Sequence, residues 1–178
     1  MDFKFYLSGG MEFKKGLGKG WRENITEKLQ EMGYSVFNPV VEELGDTEAR
    51  EFGWKEQKLA SDLTTYRDMV RRKMFRKDIR GIQLSHAAIL LYDESVQRGA
   101  GSLAEAWEVF REGRPLYIIT QFKREDIPGW LIGESTAIFR SPQELVDYLN
   151  TSGRLQQDIK EAKKIRDYYL EEIYTKRR

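Results

Sequence analysis

One stretch, residues 87–110, constrains the fold of this chain more than any other. It begins with the apolar run Ala87-Ala88-Ile89-Leu90-Leu91, which is too apolar for a strand with one wet face and is typical of a central parallel strand. Two acids and a loop with two glycines follow, and Ser102 then opens a helical pattern. The stretch therefore predicts a strand, a loop and a helix. In an open α/β sheet, ligands bind beyond the carboxyl ends of the strands, so this loop is the predicted site.

Segments with strand and helix patterns alternate along the rest of the chain. Hydrophobic periodicity predicts strands at 3–7, 34–37, 87–91, 115–120 and 136–139. It predicts helices at 21–32, within 47–80, at 102–112, from 141 onwards and at 154–178, with a loop over 121–135. The alternation favours an α/β fold with one parallel five-stranded sheet and right-handed crossovers.

The last part of the chain is a separate prediction. We expect an α/β domain over residues 1–150 and a charged amphipathic helix over 151–178, which docks on the domain or on a second subunit. Its end is basic, but acids are interleaved along the helix, so the pattern does not indicate nucleic-acid binding.

Composition excludes several classes of function. The chain has 178 residues, with 30 Lys and Arg against 29 Asp and Glu, so no overall charge favours nucleic acid or an anionic membrane. It has no cysteine and one histidine, so neither thiolate chemistry nor a zinc site is expected. No run approaches the roughly 18 apolar residues of a membrane span, and no signal-peptide pattern is present. We expect a cytoplasmic protein that needs no metal or other cofactor.

Glu105 has two interpretations. The segment Ser102-Leu103-Ala104-Glu105 matches the S-x-x-E capping box, in which both side chains only accept hydrogen bonds from free backbone N–H groups at the helix N-terminus. In the second interpretation, Glu105 points into the crevice as a nucleophile, and the positive end of the helix keeps it ionised. Residues advance about 100° per step along a helix. Glu105 therefore lies about 100° beyond Ala106, which forms one edge of the apolar arc of Leu103, Ala106, Trp107 and Phe110.

Other polar residues gather around the same predicted crevice. Asp93 and Glu94 end the central strand, where they form a turn or face Glu105, and two carboxylates across a sugar are the usual equipment for glycosidic-bond cleavage. Asp78 is either a solvated helix acid or part of the same site. The loop 9–20, rich in Gly and Lys, matches neither the P-loop nor G-x-G-x-x-G, so it is a phosphate cradle or a mobile surface loop.

Four short segments then occur in a familiar order along residues 3–150. They are Tyr6-Leu7-Ser8-Gly9-Gly10-Met11, Asp78, Asp93, and Gly101-Ser102-Leu103-Ala104-Glu105-Ala106 leading into Arg114-Pro115-Leu116-Tyr117-Ile118. This combination resembles the nucleoside 2-deoxyribosyltransferase superfamily, which includes the 2'-deoxynucleoside 5'-phosphate N-hydrolases. The resemblance implies a flavodoxin-like, Rossmann-like three-layer sandwich and a homodimer or higher homo-oligomer.

The resemblance also implies a role for each matching residue. Glu105 corresponds to the family's nucleophilic glutamate, Tyr6 to a tyrosine near it, and Asp78 to an aspartate that contacts the base or positions the nucleophile. The predicted substrate-binding residues are Ser8, Gly9, Gly10, Met11, Gly99, Gly101, Ser102, Ser135 and Thr136.

Two of these positions depart from the family pattern or extend it. Six residues before the glutamate, the family has an acid or a phosphate-binding serine, and this chain has Gly99, so Asp93, Ser95 or Ser102 would have to take that role. Ser135 and Thr136 occupy the last-strand segment, which in this family often reaches into the active site of a neighbouring subunit. Hydroxyl groups at these positions favour recognition of a phosphate.

The implied function is cleavage of the N-glycosidic bond of a nucleoside or nucleotide, with transfer of the sugar to a free base. Hydrolysis of a nucleoside 5'-monophosphate is the first alternative. A nucleotide-binding module without turnover is the second, supported by Gly99, and a partner-binding protein that acts through the helix at 154–178 is the third.

Overall fold

A five-stranded parallel sheet lies at the centre of the fold. The computed structural model describes residues 3–44 and 59–175. The strands are β1 (Lys4–Gly9), β2 (Ser35–Phe37), β3 (Ala87–Leu91), β4 (Leu116–Ile119) and β5 (Ala137–Phe139), in the order β2-β1-β3-β4-β5. The predicted all-parallel sheet is therefore confirmed. This order is the flavodoxin-like one, whose switch point for ligand binding lies between β1 and β3.

Helices cover both faces of this sheet. They are α1 (Lys19–Glu31), α2 (Pro39–Leu44), α3 (Leu63–Met69), α4 (Arg76–Leu84), α5 (Glu94–Gln97), α6 (Gly101–Arg111), α7 (Gly129–Glu134), α8 (Pro142–Leu149) and α9 (Arg154–Thr175). A π-helical turn, Val70–Phe75, joins α3 to α4, and 3-10 turns occupy Lys15–Gly18 and Arg124–Asp126. The helical prediction within 47–80 is found from Leu63 onwards, and its first part lies outside the described residues.

The segment 121–135 was predicted as a loop, and that prediction was wrong. It contains the 3-10 turn Arg124–Asp126 and the six-residue helix α7, whose Leu131 is buried in the core. A helix of fewer than two turns is too short to show a clear 3.6-residue period, so only its packing identifies it.

Strand β1 divides the core into two layers because successive side chains point to opposite faces. Phe5 and Leu7 pack on the face covered by α1 and α8, whereas Tyr6 packs on the face covered by α4 and α6. The first layer contains Ile25, Leu29, Leu145 and Leu149, and the second contains Ile82, Ala88, Leu90, Ala106 and Val109. The three-layer α/β sandwich is thus confirmed.

The start of α9 belongs to the domain core. Leu155 is buried in the first core layer, and Asp158 accepts hydrogen bonds from Tyr117 Oη at 2.7 Å and Tyr148 Oη at 3.0 Å. Of the two docking surfaces that the sequence left open for this helix, its own domain holds these first turns. Within residues 3–44 and 59–175, no helix has the length and apolar character that a bilayer crossing needs.

Candidate active site

Tyr6, Ser8 and Glu105 meet beside the switch point of the sheet. Tyr6 and Ser8 are two residues apart on β1, so both side chains point to the face on which α6 packs. Tyr6 Oη donates to Glu105 Oε1 at 3.1 Å, and Ser8 Oγ donates to Glu105 Oε2 at 2.5 Å. Each carboxylate oxygen of Glu105 is therefore bound by a hydroxyl from the neighbouring strand.

This arrangement decides between the two interpretations of Glu105. Helix α6 begins at Gly101, its N-cap residue is Ala100, and no side chain caps it. Ser102 lies inside the helix and is buried, and Glu105 accepts its hydrogen bonds from β1. The S-x-x-E pattern is thus not a capping box here, and Glu105 points towards the sheet.

The rotation of α6 differs from the one predicted from its apolar residues. The side chains that face the core are Ser102, Ala106 and Val109, whereas Leu103 and Trp107 are more than one third exposed. Placing Glu105 against β1 turns the Leu103 and Trp107 side of the helix outwards, because these positions lie across the helical wheel from it. The predicted apolar arc was therefore wrong at these two residues.

Burial and hydrogen bonding act against each other on the Glu105 carboxyl group. Burial raises its pKa, and the hydrogen bonds from Ser8 and Tyr6 and the positive charges of Arg22 and Lys77 lower it, with a net rise. Two donors and two cations thus hold a carboxylate charge in a partly buried position. The donors and the cations therefore offset only part of the cost that burial imposes on the charged form.

Tyr6 serves as a hydrogen-bond donor in this site. Burial, the negative charge of Glu105 and that of Asp78 raise the pKa of Tyr6 well above its usual value. The phenol therefore keeps its proton at neutral pH and donates a hydrogen bond to Glu105. The negative charge of Asp78, on the first turn of α4, also acts on Tyr6, so the structure places Tyr6, Asp78 and Glu105 in one region.

Arg22 is a residue of this region that the sequence analysis missed. It is almost completely buried, and its guanidinium donates to the carbonyls of Leu17, Gly18 and Gly9 at 2.8, 3.3 and 2.8 Å. It thereby fastens the glycine loop after β1 to helix α1. A signal was present, since Arg22 lies three residues before Ile25 on the buried face of α1.

Asp93 lies beside the glycine loop and does not join the hydrogen bonds around Glu105. Its side chain caps α5 by accepting from the Ser95 amide at 3.0 Å, and it forms an ion pair with Lys14. Burial raises its pKa, but the hydrogen bonds from Lys14 and Ser95 outweigh burial and leave the pKa below its usual value. The sequence predicted an acid facing Glu105; these contacts favour a role in holding the loop instead.

The remaining predicted residues fall into two groups. The first group lies at the end of β1, which Gly9 closes and which Gly10 and Met11 follow. The Gly9 carbonyl accepts a hydrogen bond from Arg22. Gly10 packs so closely on Ser95 that an added methyl group would overlap the serine side chain. The positions around the start of α6 are open or loosely packed: at Gly101 an added methyl group would meet no atom within 4 Å, and at Gly99 its nearest contact would be a Phe13 ring carbon at 3.6 Å.

Ser135 and Thr136 lie far from this group in the sheet. They precede β5, so they sit at the amino ends of the strands, whereas Ser8 is at the carboxyl end of β1. The Ser135 hydroxyl donates to the Ile132 carbonyl at 2.8 Å, and the Thr136 hydroxyl accepts from the Leu116 amide at 3.1 Å. Within one chain they therefore stabilise a turn and do not contribute to the site at Glu105.

No set of three or more acidic or histidine side chains among the described residues is placed to hold a metal ion.

Comparison with known proteins gives the fold an independent reference. No protein-family model and no curated protein matches the sequence. Among solved structures, a 2-deoxyribosyltransferase from the psychrotolerant bacterium Bacillus psychrosaccharolyticus is similar, with a TM-score of 0.58 and 18% sequence identity over 82% of this chain and 91% of that chain. A CMP N-glycosidase from Clostridium botulinum is similar with a TM-score of 0.46 and 14% identity, over 83% of this chain and 98% of that chain. The chain thus shares its fold with a 2-deoxyribosyltransferase, and the resemblance predicted from its sequence is confirmed at the level of the fold.

Proposed function

We propose that this protein cleaves the N-glycosidic bond of a nucleoside or nucleotide and transfers the sugar to a second base, with Glu105 as the nucleophile. The observation that carries the proposal is the contact of both Glu105 oxygens with hydroxyls of β1 at the switch point of the sheet. A carboxylate held there lies beside the switch point, where α/β proteins of this topology bind ligands. The shared fold with a 2-deoxyribosyltransferase supports the same reaction class.

The reaction takes place in two displacements. A Glu105 oxygen attacks the anomeric carbon C1', the bond from C1' to the base nitrogen breaks, and its electron pair leaves with the base, which takes up a proton. The sugar is then held as an ester of Glu105. A nitrogen of a second base attacks C1', and the ester bond breaks to regenerate the carboxylate. Dividing one difficult substitution into two easier ones is the advantage of such a covalent intermediate.

Two groups at the site suit the other parts of this mechanism. Tyr6 and Ser8 orient the Glu105 carboxylate before it attacks, since both donate to it. Asp78, which lies close enough to raise the pKa of Tyr6, is the acid proposed to contact the base and to protonate it as it leaves. Asp93 is less suited to that task, because its lowered pKa makes it a poor proton donor.

Hydrolysis of a 5'-monophosphate is the second candidate function. The region before α6 supports it, because Phe13, next to Lys14 in the loop after β1, lies beside Gly99, and the start of the helix at Gly101 is open. A phosphate would be attracted by the helix N-terminus. The third candidate, a binding module without turnover, is supported by Gly99, where the related enzymes have an acid or a serine. A homo-oligomeric state stays a prediction, which sedimentation of the full chain tests.

The first experiment measures release of free base from deoxynucleosides and their 5'-monophosphates by chromatography. Glu105→Gln keeps the size of the side chain and its hydrogen-bonding oxygen but removes the nucleophile, so we expect turnover to fall by at least about a thousandfold. The matched control is Glu27→Gln, an exposed glutamate on α1. Turnover of Glu105→Gln within a few fold of the control would rule out the nucleophile assignment.

A second base in the same assay separates the two enzymatic candidates. Wild-type protein that forms a new nucleoside from a deoxynucleoside and free adenine or cytosine is a transferase, and one that yields only free base and sugar is a hydrolase. If the wild-type protein binds deoxynucleotides but releases no base after long incubation, the module without turnover is the correct function.

A further inference from the structure

The aromatic ring of Phe37 packs directly on the site residue Tyr6. Phe37 is the last residue of β2, and it lies opposite Tyr6 in the parallel register of β2 and β1. The two rings are stacked, with centroids 5.6 Å apart and an angle of 20° between their planes. The neighbouring edge strand therefore supplies a flat surface against which the Tyr6 ring lies.

The other neighbour of Tyr6 in the sheet cannot hold the ring in this way. On the β3 side, Tyr6 lies opposite Ala88, whose methyl group covers only a small part of a phenol ring. The second side-chain torsion of a tyrosine has a broad range, so the orientation of the ring depends on what packs against its faces. Of the two residues opposite Tyr6 in the sheet, only Phe37 restricts that torsion through a stacked ring.

Helix α4 also packs on the Phe37 ring, at Gly81. Gly81 is buried, and a Cβ atom added to it would lie 2.5 Å from a Phe37 ring carbon, closer than real Cβ atoms approach other atoms. The ring thus occupies space that only a glycine leaves open. Asp78 lies three residues before Gly81, on the same side of the helix. The glycine therefore fits Phe37 against the helix that carries the proposed acid.

The orientation of the Tyr6 ring decides where its hydroxyl group lies. Tyr6 is completely buried, and its Oη atom donates to Glu105 Oε1 at 3.1 Å. This distance is already at the long end for an O–H···O hydrogen bond, so a small tilt of the ring would weaken the bond further. A ring stacked on Phe37 cannot tilt towards β2 without overlapping its neighbour.

We infer that Phe37 is a positioning residue for the proposed reaction: stacked on Tyr6 and fitted against Gly81, it keeps the Tyr6 hydroxyl directed at Glu105. The inference rests on the proposed function, because it assigns to Phe37 an effect on the nucleophile. Phe37 acts through Tyr6 alone and takes no part in bond formation.

The charge of Glu105 reports the state of the Tyr6 hydrogen bond. That bond lowers the Glu105 pKa, so loosening it should raise the pKa. Phe37→Leu removes the flat ring but keeps the space apolar and largely filled, so water should not replace the bond. The other polar and charged groups that act on this pair are Ser8 on β1, Arg22 on α1, and Lys77 and Asp78 on α4. The substitution leaves all of them in place.

The experiment is a double-mutant cycle of Phe37→Leu and Tyr6→Phe in the full chain. The Glu105 pKa is read from its carboxyl carbon resonance, assigned by its absence in Glu105→Gln, and kcat from release of free base. In the wild-type background, Phe37→Leu should raise the pKa and lower kcat about tenfold, as expected when a hydrogen bond to a charged group is weakened. In the Tyr6→Phe background it should change neither, because the hydroxyl group is already absent.

Phe139→Leu is the matched control. Phe139 also ends a three-residue edge strand, β5, and is 9% exposed, but its ring contacts Tyr117 and Tyr148 in the other core layer. Its replacement should lower the midpoint of thermal unfolding, as Phe37→Leu does, because both remove a packed ring. It should leave the Glu105 pKa and kcat unchanged, since this ring does not touch Tyr6.

If Phe37→Leu does not fold, the Phe37 ring protons of the wild-type protein decide. They should titrate with the pKa of Glu105, because protonation of the acceptor changes the hydrogen bond that holds Tyr6, and the Phe139 ring protons should not. A folded Phe37→Leu with the wild-type pKa and kcat, equal effects in both backgrounds, or the same effects from Phe139→Leu would each overturn the inference. Where the variant does not fold, Phe37 ring protons that fail to titrate would overturn it.

Failure of the proposed function is recognised separately. In that case Glu105→Gln keeps its turnover, whereas the titration of the Glu105 carboxyl group still measures the effect of Phe37 on it. An inactive Glu105→Gln combined with a fully active Phe37→Leu would leave the proposed function standing and refute the role of Phe37.

Discussion

The two ends of the sheet each hold a buried or partly buried glutamate, and the two differ in what surrounds the carboxyl group. Burial raises the pKa of both Glu105 and Glu134. At the carboxyl edge, Tyr6 and Ser8 each donate to one oxygen of Glu105. At the amino edge, one oxygen of Glu134 has no donor among the described residues.

This difference shows that burial of a carboxyl group and stabilisation of its charged form are separate properties. A raised pKa alone shows only that a carboxyl group has lost water, because desolvation disfavours its charged form wherever it occurs. Donors aimed at the charged form have to be built by the fold, and β1 supplies two of them to Glu105 through its two-residue period. A carboxyl group that the fold supplies with donors can therefore be distinguished from one that is only buried.

The largest effect is expected when the donors of Glu105 are removed, which would make its surroundings resemble those of Glu134. A hydrogen bond to a charged group contributes about 1.5–3 kcal/mol, and tenfold in rate corresponds to about 1.4 kcal/mol. Tyr6→Phe with Ser8→Ala should therefore lower kcat by about a hundredfold or more. Since both bonds lower the pKa of Glu105, the acid limb of the pH profile should also move to higher pH.

The pH profile of kcat for base release from the best deoxynucleoside substrate measures both effects. Turnover is lost as the pH falls through the pKa of Glu105, so a higher pKa narrows the active range from the acid side. Each single variant should shift the limb less than the double variant. An unchanged limb in the double variant would mean that these hydroxyls do not control the charge of Glu105.

Arg22 should give the next largest effect, this time on stability. Arg22→Gln removes a buried guanidinium from three carbonyls of the glycine loop, and breaking such a set should cost about 2–3 kcal/mol in the free energy of unfolding. Urea unfolding measures the loss. Arg22→Lys is the control that keeps the positive charge, which lowers the Glu105 pKa. It should lose stability as well, but the acid limb of its kcat–pH profile should stay closer to that of the wild type than the limb of Arg22→Gln does. If the acid limb of the Arg22→Gln profile does not move, Arg22 acts only by holding the glycine loop.

Glu134→Gln is expected to have a smaller effect of opposite sign. Because its folded-state pKa is about 7 and its ordinary value is 4.5, the Glu134 carboxyl destabilises the fold progressively from about pH 4.5 to pH 7 and by a constant amount above that. The substitution should therefore raise the free energy of unfolding at pH 8 by about 1 kcal/mol and leave it unchanged at pH 4. Thermal unfolding at the two pH values measures it, and a loss of stability at pH 8 would contradict the unpaired state of Glu134.

The ion pair of Lys14 with Asp93 should give the smallest effect, because both side chains are more than one quarter exposed. Lys14→Met should lower the free energy of unfolding at pH 7 by about 0.5 kcal/mol. The Asp93 pKa is lowered in the folded state, so this contribution is fully present above the usual aspartate pKa and is lost as the pH falls from there through the lower, folded-state pKa. Chemical unfolding at pH 7 and pH 3 tests the sign, and an equal deficit at both values would contradict it.

The periodic features of the sequence predicted the fold well. Five short apolar runs and the helices between them indicate a parallel sheet directly, because burial on both faces leaves a signal in every strand. Glu105, Tyr6 and Asp78 were predicted through the resemblance, and the structure brings them together. No pattern within one element could have identified Ser8 as the second donor to Glu105, since that contact joins residues 97 positions apart.

Two of the errors have a common physical origin. The outward turn of Trp107 and the short helix α7 both depend on how one element packs against another, which no local pattern records. The cap formed by Asp93 is different, because it is a local contact. An aspartate two residues before Ser95 is a typical N-cap arrangement, and a turn was one of the two roles that the sequence left open for Asp93.

The close packing of Gly10 against Ser95 has a consequence for engineering the ligand specificity of the protein. A larger residue at position 10 would push apart the loop after β1 and the helix after β3, which Lys14 and Asp93 also link. Mutagenesis libraries should therefore keep these four positions constant. Variation is better placed at Gly99 and Gly101, where a new side chain has room to grow and the frame around it would stay intact.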